Sequence, residues 1–405
     1  MTATASLFGS SKSQMMDSIR GTIDSLAAYG PAYDHWCVAW SGGKDSTCLV
    51  TLLVWLIESG QVVAPKRLTV LYADTRQEIL PLALAAAEVG GELLGRGIDY
   101  RTVTAPMDKR MWVYILGRGV PPPNNNTLRY CTRQIKVEPM AAEVNRIAAG
   151  GKVLMLTGVR EGESAQRDGR ISLSCTRDGG ECGQGWFQRD LDTAYADTLA
   201  PILNWRVCHV WAWLRHWAPD HKYGEWPTGV LADAYGGDEA EEINARTGCV
   251  CCPLAARDSA LDAVVAMPRW AYLAPLLEVR GVYRWLREPA QRLRKPGGER
   301  RKDGGLCANQ NRMGPAHPAA RLDALARVLD IQARVNAAAD RLGRPRVDHV
   351  NAEEEARVRE LVAAGTYPDK WDGTEPRGDE PFDEWHPDGS VHRGLFAGPE
   401  ADGAA

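Results

Sequence analysis

A glycine-rich loop carries the clearest chemistry in this sequence, because it joins an apolar segment to an apolar, helix-like one. The loop consists of Ser41, Gly42, Gly43, Lys44, Asp45 and Ser46. Two glycines let the backbone turn tightly and approach a ligand, and free N–H groups at the start of the following helix face an anion. Lys44 adds a positive charge, while Ser41 and Ser46 add hydroxyl donors. This combination predicts a phosphate-binding loop.

Asp45 is the unexpected member of this loop, because a carboxylate on its own repels a phosphate. Its presence is explained if a Mg²⁺ ion lies between the carboxylate and the phosphates of a nucleotide. The loop lacks the GxxxxGK[ST] spacing of a Walker A motif, so it predicts a different class of nucleotide-binding protein. The alternative is a surface turn in which Asp45 or Ser46 caps a helix.

Two further apolar segments end in polar and charged residues. These are Asp74 and Thr75 after the second predicted strand, and Gly158, Arg160 and Arg167 after the fourth. Because ligands bind at the carboxyl ends of the strands in an open parallel sheet, we expect these residues beside the glycine loop. Arg160 and Arg167 are suited to neutralising phosphates. A capped helix start and salt-bridged surface arginines are the alternatives.

The cysteines form a second candidate site. Cys249 and Cys252 make a C-x-x-C pair, a spacing that places two thiolates on one metal ion or cluster edge. Cys175 and Cys182 offer another pair, and Cys131 lies among basic residues that favour its thiolate. Four of these thiols could hold a [4Fe–4S] cluster or a structural Zn²⁺ ion, and spacing does not decide between them. The alternative is that all of them are small core residues.

Short apolar strands alternate with helices up to about residue 205. This alternation predicts an α/β fold, in which a parallel sheet has helices on both faces. Later segments read as helices, among them Pro318–Leu342, and the Gly, Pro and acidic residues after Thr366 predict a disordered tail. We therefore predict a lead-in helix in residues 1–29, a nucleotide-binding α/β domain in 30–205, a helical cysteine-containing domain in 206–365 and an acidic tail in 366–405.

The composition is that of an ordinary globular protein. The 405 residues include 48 Lys+Arg and 52 Asp+Glu, a net charge of −4, which excludes a globally basic nucleic-acid coat but not a local basic patch. The longest apolar run, Cys48–Ile57, is far shorter than the roughly 18 residues of a membrane span. The N-terminal segment lacks the apolar core of a secretion signal. We expect a cytoplasmic protein with reduced thiols and no membrane partner.

The loop and strand-end motifs resemble those of a known superfamily. SGGKDS resembles the PP-loop of the ATP pyrophosphatases, and both ADT-x-x-E at 73–78 and GVR-x-x-ES-x-x-R at 158–167 resemble the sulfonucleotide reductase branch. With LRYCTRQIKVEPM at 128–140 and the Gly-Cys-x-x-Cys turn, in this order, they resemble the DndC family of DNA phosphorothioation proteins. That family is related to the phosphoadenosine phosphosulfate (PAPS) reductases. The likeness spans roughly residues 30–365.

The resemblance implies an adenine nucleotide alpha hydrolase-like fold, ATP pyrophosphatase activity, an iron–sulfur cluster and sulfur insertion into the DNA backbone. The loop from Ser41 to Ser46 would then hold ATP, with Lys44, Asp45 and Arg160 as catalytic residues. The implied cluster ligands are Cys131, Cys249 and Cys252, with Cys182 preferred as the fourth over Cys175 or Cys251. A cysteine desulfurase as sulfur donor and DNA or DNA-modification subunits are the implied partners.

Two other functions stay open. A reductase acting on PAPS or APS would bind its adenine nucleotide with a variant of this loop, but the ECG tripeptide similar to its nucleophile motif is internal here, at Glu181–Gly183. A non-catalytic nucleotide- and DNA-binding subunit would use the basic stretch from Arg284 to Lys302 along a DNA backbone. Solvated helix-end charges are the alternative explanation of that stretch.

Overall fold

The computed structural model divides the chain into two compact units, each assembled from separate segments. It describes residues 11–124, 128–148, 151–162, 180–181, 186–188, 195–237, 248–255, 257–300, 303–307, 309–381, 383–388 and 390–392. The first unit comprises Met1–Ala105, Ile135–Cys249 and Ser259–Pro268. The second comprises Pro106–Gln134, Val250–Asp258 and Arg269–Ala405.

The first unit is built on a mostly parallel sheet. Its strands are β1 (His35–Trp40), β2 (Arg67–Asp74), β3 (Asp99–Thr104), β4 (Val153–Thr157), β5 (Gly180–Glu181), β6 (Trp186–Gln188) and β7 (Ala196–Ala200). The described strands follow the order β3-β2-β1-β4-β7-β6-β5. The first five pair in parallel, whereas β6 pairs antiparallel with both β7 and β5. The order reverses between β1 and β4, and such a reversal opens a ligand crevice at the carboxyl ends of the strands.

Helices cover both faces of this sheet. The α-helices of the unit are α1 (Ser11–Tyr29), α2 (Lys44–Glu58), α3 (Leu80–Gly95), α4 (Glu138–Ile147), α5 (Val207–Ala212) and α6 (Ser259–Ala266). Gly90 of α3 lies against the ring of Tyr100, whereas Val144 of α4 packs with Leu71. Tyr100 pairs with Val70, so Tyr100 and Leu71 point to opposite faces. The predicted α/β fold, with helices on both faces, is confirmed.

A 3₁₀ segment, Gly229–Tyr235, extends this unit beyond α5 and packs on α3. Before it, Trp211 and Trp213 are fully buried, and the Trp213 indole N–H donates to Thr51 of α2 at 2.9 Å. These buried tryptophans therefore belong to the packing of the first unit against α2 and do not form an exposed platform on which bases could stack.

The second unit is mainly helical. It contains α7 (Val279–Trp285), α8 (Pro318–Leu342) and α9 (Ala352–Ala363), together with the short strands β8 (Arg292–Arg294), β9 (Met313–Ala316), β10 (Glu384–Trp385) and β11 (Val391–His392). Helix α8 has the predicted bounds. The His317 side chain accepts from the Ala320 N–H at its start, and Gly343 at φ +59° ends it. The predicted helical C-terminal region is present.

The segment after Thr366, for which the composition predicts disorder, makes specific contacts in its described part. The ring of Trp371 lies on Gly314 of β9, and Arg377 forms a bridge with Leu293 of β8. Lys295 pairs with Glu375 at 2.7 Å. Aromatic and charged side chains thus order a stretch that has no hydrophobic periodicity. Among the residues that the structure describes, no helix is long and apolar enough to cross a membrane.

Candidate active site at the reversal of the sheet

The glycine loop lies at the carboxyl end of β1, where the sheet order reverses. Gly42 adopts φ +73°, a left-handed conformation that glycine takes at no steric cost. A Cβ there would also lie 3.3 Å from the Tyr72 ring. The loop is braced from within, because the Ser46 hydroxyl accepts from the Ser41 N–H at 3.3 Å and lies 3.1 Å from the Gly43 carbonyl. Helix α2 then begins at Lys44, and its N-cap residue, Gly43, has no side chain that could accept from the first N–H groups.

Asp45 joins two cations at the start of α2. One carboxylate oxygen accepts from Lys44 Nζ at 2.9 Å, and the other accepts from Arg160 Nε at 2.5 Å. Arg160 is 5% exposed and also donates to the Trp205 carbonyl at 2.9 Å. The structure therefore brings the three predicted catalytic residues, Lys44, Asp45 and Arg160, into one buried ion-pair cluster.

The charge state of Asp45 follows from its surroundings. Burial opposes ionisation of this carboxyl, but the nearby Lys44 and Arg160 outweigh that effect and hold its pKa below the ordinary value. Asp45 is therefore an anion at neutral pH, and it fixes the positions of both cations. The cluster places two positive charges at the N-terminus of α2, where the helix dipole also favours an anion.

Gly158 allows the fourth strand to meet this helix start. A Cβ on Gly158 would lie 2.7 Å from the Ser46 nitrogen and 2.8 Å from the Asp45 carbonyl carbon, so a side chain would collide with backbone. The predicted residue Gly158 is thus needed for close approach, which brings Arg160 to Asp45. Beside it, the Thr157 hydroxyl is buried without a hydrogen-bond partner among the described residues.

The end of β2 forms a tight polar turn on the same edge of the sheet. The Thr75 hydroxyl donates to Glu78 at 2.5 Å, and Asp74 accepts from the Arg76 N–H at 2.8 Å. Arg76 itself has φ +58°. Thr75 is only 3% exposed, so its hydroxyl shapes this turn rather than facing the crevice. Glu78 also forms an isolated antiparallel bridge with Cys249, which fixes that cysteine near the carboxyl end of β2.

The other described candidate thiols lie in the second unit. Cys131 and Cys252 are close enough to interact electrostatically. Burial raises the pKa of the Cys131 thiol, and Cys252 raises it further. The expected effect of basic neighbours is therefore wrong, because Arg129 and Arg133 are exposed while Cys131 is buried. No group of three His, Cys, Asp or Glu side chains in the described part of the chain is arranged to hold a metal ion.

Cys251 is set apart from its neighbouring cysteines. Its backbone has φ +48°, its side chain is 1% exposed, and its thiol donates to the Leu276 carbonyl at 3.2 Å. The Cys251 N–H donates to Asp258 at 2.6 Å. This thiol stabilises the C-x-x-C turn, so Cys251 is a poor candidate for a fourth ligand. Arg167, Cys175 and Cys182, also predicted as site residues or alternatives, lie outside the described residues.

Comparison with protein families finds one matching domain. Residues 35–221 match the phosphoadenosine phosphosulfate reductase domain. This matched segment contains the glycine loop, Arg160 and strands β1 to β7. A comparison with curated proteins finds no match.

Three solved structures are similar to this chain. The PAPS reductase of Candida auris, in a phosphate complex, is 11% identical, with 51% of this chain and 87% of that chain covered and a TM-score of 0.32. The FMN adenylyltransferase of Candida glabrata, with FMN and an ATP analogue, is 16% identical, with 52% and 60% covered and a TM-score of 0.33. The U34-tRNA thiolase NcsA of Methanococcus maripaludis, with its [4Fe–4S] cluster, is 13% identical, with 68% and 80% covered and a TM-score of 0.35.

The surroundings of Asp45 do not fit its predicted role as a Mg²⁺ ligand. Both carboxylate oxygens are engaged by cations, Lys44 and Arg160. A Mg²⁺ site needs oxygen ligands free to coordinate. Asp45 instead anchors two cations at the start of α2. That pairing accounts for a carboxylate in a phosphate loop.

Two residues of the site were missed by the sequence reasoning. Tyr235 places its hydroxyl 2.9 Å from the Lys44 backbone nitrogen, from which it accepts, and Trp205 holds Arg160 through its carbonyl. Tyr235 is separated from the loop by about 190 residues and lies in no motif. Trp205 lies five residues after the end of β7, so its place beyond a strand of the parallel sheet was a usable signal.

Proposed function

We propose that this protein is a PP-loop ATP pyrophosphatase that activates a substrate by adenylation for sulfur transfer. One observation supports it above the others. The glycine loop, Lys44 and Arg160 converge on the N-terminus of α2 at the reversal point of an open parallel sheet. The match of residues 35–221 to the PAPS reductase domain favours an adenine nucleotide as the phosphate-bearing ligand.

The residues of the loop suggest how ATP cleavage would proceed. A substrate oxygen forms a bond to the α-phosphorus while the bond from that phosphorus to the bridging oxygen of pyrophosphate breaks. Negative charge grows on the leaving pyrophosphate, and Lys44 and Arg160 stabilise it because Asp45 holds both near the loop. The product is an adenylated substrate, from which a nucleophilic sulfur then displaces AMP.

The position of Cys249 supports a sulfur-carrying role in this proposal. Cys249 lies at the carboxyl edge of β2, next to the strand that bears the loop, through its bridge with Glu78. We propose Cys131, Cys249, Cys252 and Cys182 as ligands of a [4Fe–4S] cluster, with Zn²⁺ as the alternative metal. Such a cluster would supply a site for bound sulfide.

A product assay tests the proposed reaction. The protein is incubated with Mg²⁺ and either ATP, PAPS or APS, and the products are separated by chromatography. We expect AMP and pyrophosphate from ATP, and Lys44→Ala should abolish both. Lys66→Ala, at an exposed lysine paired with Asp34, is the matched control and should leave turnover unchanged. Formation of ADP, or no turnover with any candidate acceptor or sulfur donor, would contradict the proposal.

A sulfonucleotide reductase is the second candidate function, and the match to the PAPS reductase domain favours it. The same assay separates the two functions, since a reductase releases sulfite from PAPS or APS and does not need ATP. Sulfite release without ATP cleavage would establish the reductase.

The proposed cluster is tested by metal analysis of anaerobically purified protein. We expect iron and acid-labile sulfide, with both lost in Cys252→Ala. The adjacent Cys251→Ala is a sharp control, because the Cys251 thiol is hydrogen-bonded to Leu276 and should not bind metal. Stoichiometric zinc without iron would show that the site holds a structural Zn²⁺ ion instead of a cluster. Equal iron content in the wild type and both variants would reject this set of ligands.

The acceptor proposed from the resemblance is the DNA backbone, with a cysteine desulfurase as sulfur donor and DNA-modification subunits as partners. DNA incubated with ATP, cysteine and the desulfurase should acquire phosphorothioate linkages, which are detected by mass spectrometry after nuclease digestion. Sulfur found in RNA or a small molecule, but not in DNA, would move the proposal to that acceptor class.

A further inference from the structure

The phosphate loop is covered by a side chain from a distant part of the first unit. Tyr235, the last residue of the 3₁₀ segment Gly229–Tyr235, accepts a hydrogen bond from the Lys44 N–H at 2.9 Å. Lys44 is the first residue of α2, so its N–H is one of the helix-start donors that would otherwise face an anion. A Cβ on Gly43 would lie 3.2 Å from the same hydroxyl, which places the phenol directly over the loop backbone.

Packing holds Tyr235 in this place. The side chain is 4% exposed, and its ring meets Trp211 edge-on with centroids 5.1 Å apart. The Lys44 ammonium lies 5.3 Å from the centroid of the Tyr235 ring. Tyr235 is therefore not a mobile surface residue that happens to lie near the loop. Its ring contacts Trp211 and the Lys44 ammonium, and its oxygen binds the Lys44 N–H.

The charges of the loop are likewise satisfied within the protein. Lys44 Nζ and Arg160 Nε each bind an oxygen of Asp45, at 2.9 and 2.5 Å. The first amide of α2, the ammonium and the guanidinium are therefore all engaged by protein oxygens. The phenol that accepts from the Lys44 N–H is neutral, and a neutral acceptor makes a weaker bond to an N–H than a phosphate does.

We infer that the Tyr235 hydroxyl occupies the position of a phosphoryl oxygen and must leave before a phosphate chain binds the Lys44 N–H. The inference rests on the proposed function in taking ATP as the natural ligand, although the displacement applies to any phosphate group bound in the loop. A closed loop lowers the apparent affinity by the fraction of molecules that are open. Tyr235 thus limits occupation of the site to ligands whose phosphates compete with its oxygen.

Binding measurements on Tyr235→Phe test this inference. The variant keeps the ring and its packing on Trp211 but removes the oxygen that accepts from Lys44. We expect pyrophosphate and ATP to bind about two- to tenfold more tightly, the range that corresponds to one neutral hydrogen bond. Adenosine, which has no phosphate, should bind with unchanged affinity. Isothermal titration calorimetry gives all three dissociation constants, and circular dichroism verifies the fold.

Tyr223→Phe is the matched control, because Tyr223 packs among Trp55, Trp213 and Trp217, away from the loop, and should leave all three affinities unchanged. Unchanged or weaker pyrophosphate binding in Tyr235→Phe, with binding by the wild type intact, would overturn the inference and leave the proposed function standing. If neither protein binds ATP or pyrophosphate, the proposed function and the inference both fail. Pyrophosphate binding that tightens in Tyr235→Phe while ATP is not cleaved would support the inference alone.

Discussion

At the scale of single residues, Asp45 determines how the site is organised. A carboxylate that binds Lys44 on one oxygen and Arg160 on the other cannot be exchanged for an amide without leaving one cation unpaired. The same pairing lowers the pKa of Asp45, so its contribution to stability depends on pH in a defined direction.

Asp45→Asn should therefore destabilise the protein in a pH-dependent way. Since the folded pKa lies below the unfolded value of about 3.9, the stabilisation is complete above about pH 5 and is lost as pH falls through the lowered pKa. We expect the variant to lose about 2 kcal/mol of unfolding free energy at pH 7 and progressively less below about pH 4. Urea unfolding between pH 3 and 7 measures this difference. Asp34→Asn, at an exposed carboxylate, is the control, and a pH-independent difference for Asp45→Asn would contradict the argument.

Arg160 works through its shape as well as its charge. Its Nε donates to Asp45 and another guanidinium nitrogen donates to the Trp205 carbonyl. Arg160→Lys keeps the charge but cannot make both bonds. In the proposed reaction, we expect the rate of pyrophosphate release to fall about tenfold in Arg160→Lys, equivalent to one lost hydrogen bond, and to fall further in Arg160→Gln. Equal rates in Arg160→Lys and the wild type would show that only the charge matters.

Much of this site could be predicted at the residue scale. The loop from Ser41 to Ser46, Gly158 and Arg160 follow strand ends, and strand ends on one edge of a parallel sheet must lie together. Thr75 was predicted on the same grounds but is turned onto Glu78, because a buried carboxylate needs donors and Thr75 is the nearest hydroxyl. Tyr235 was not predictable, since its contact depends on how a distant 3₁₀ segment packs on α3.

At the scale of elements, the joining of β4 to α2 depends on Gly158. A single methyl group there would meet the backbone of Ser46 and Asp45, neither of which can move without displacing the start of α2. Helix α3 provides a contrast, because Gly91 is exposed on it and has nothing within 4 Å of its Cβ position. The two glycines therefore respond oppositely to the same substitution.

Gly158→Ala should lower the free energy of unfolding by about 2 kcal/mol through overpacking, and it should weaken pyrophosphate binding because the Arg160–Asp45 pair is pushed apart. Gly91→Ala should instead raise stability by about 0.5–1 kcal/mol, since alanine favours a helix interior. Thermal unfolding and calorimetry measure both quantities. Full retention of stability and pyrophosphate binding in Gly158→Ala would show that the approach of β4 to α2 is not tight.

Regular elements were the most predictable part of the fold. Apolar runs identified β1, β2 and β4, and a proline at the first turn with a glycine after the last fixed both ends of α8. The hairpin of β8 and β9 was missed. Its strands are short and flank a stretch rich in arginine, lysine and glycine, where charge conceals the pattern.

In the basic stretch from Arg284 to Lys302, positive charge alone did not predict what the arginine side chains contact. Arg292 donates to the Gly314 carbonyl, Arg294 to the carbonyls of Glu380 and Pro381, and Arg287 to those of Pro123 and Pro253. These described cations hold backbone segments together. These three arginines are therefore unlike the solvent-facing charges that track a DNA backbone.

At the scale of the whole molecule, the assembly of each unit from separate segments of the chain could not be predicted from the sequence. The second unit combines Pro106–Gln134 with residues from the second half of the chain. Contacts between segments more than 200 residues apart leave no local pattern. One example is the ion pair of Arg110 with Glu354, at 3.2 Å, which joins the first segment of this unit to α9.

The Trp371 ring packs on Gly314 of β9 in the second unit, and a double-mutant cycle measures the coupling free energy of this contact. A Cβ on Gly314 would collide with the ring, and the Lys295 ammonium lies 4.2 Å from the ring centroid. Trp371→Ala should cost about 2 kcal/mol of unfolding free energy. Gly314→Ala alone should cost about 1–3 kcal/mol, because the tightly packed ring must move.

In the Trp371→Ala background the collision is absent, so Gly314→Ala should cost much less there than in the wild type. Thermal unfolding of the wild type, both single variants and the double variant gives the coupling free energy. Asp369→Ala, at an exposed neighbour of Trp371, controls for changes in the segment itself. Additive costs in the double variant would mean that Trp371 does not rest on β9 in solution, and the C-terminal segment would then have the disorder that its composition predicts.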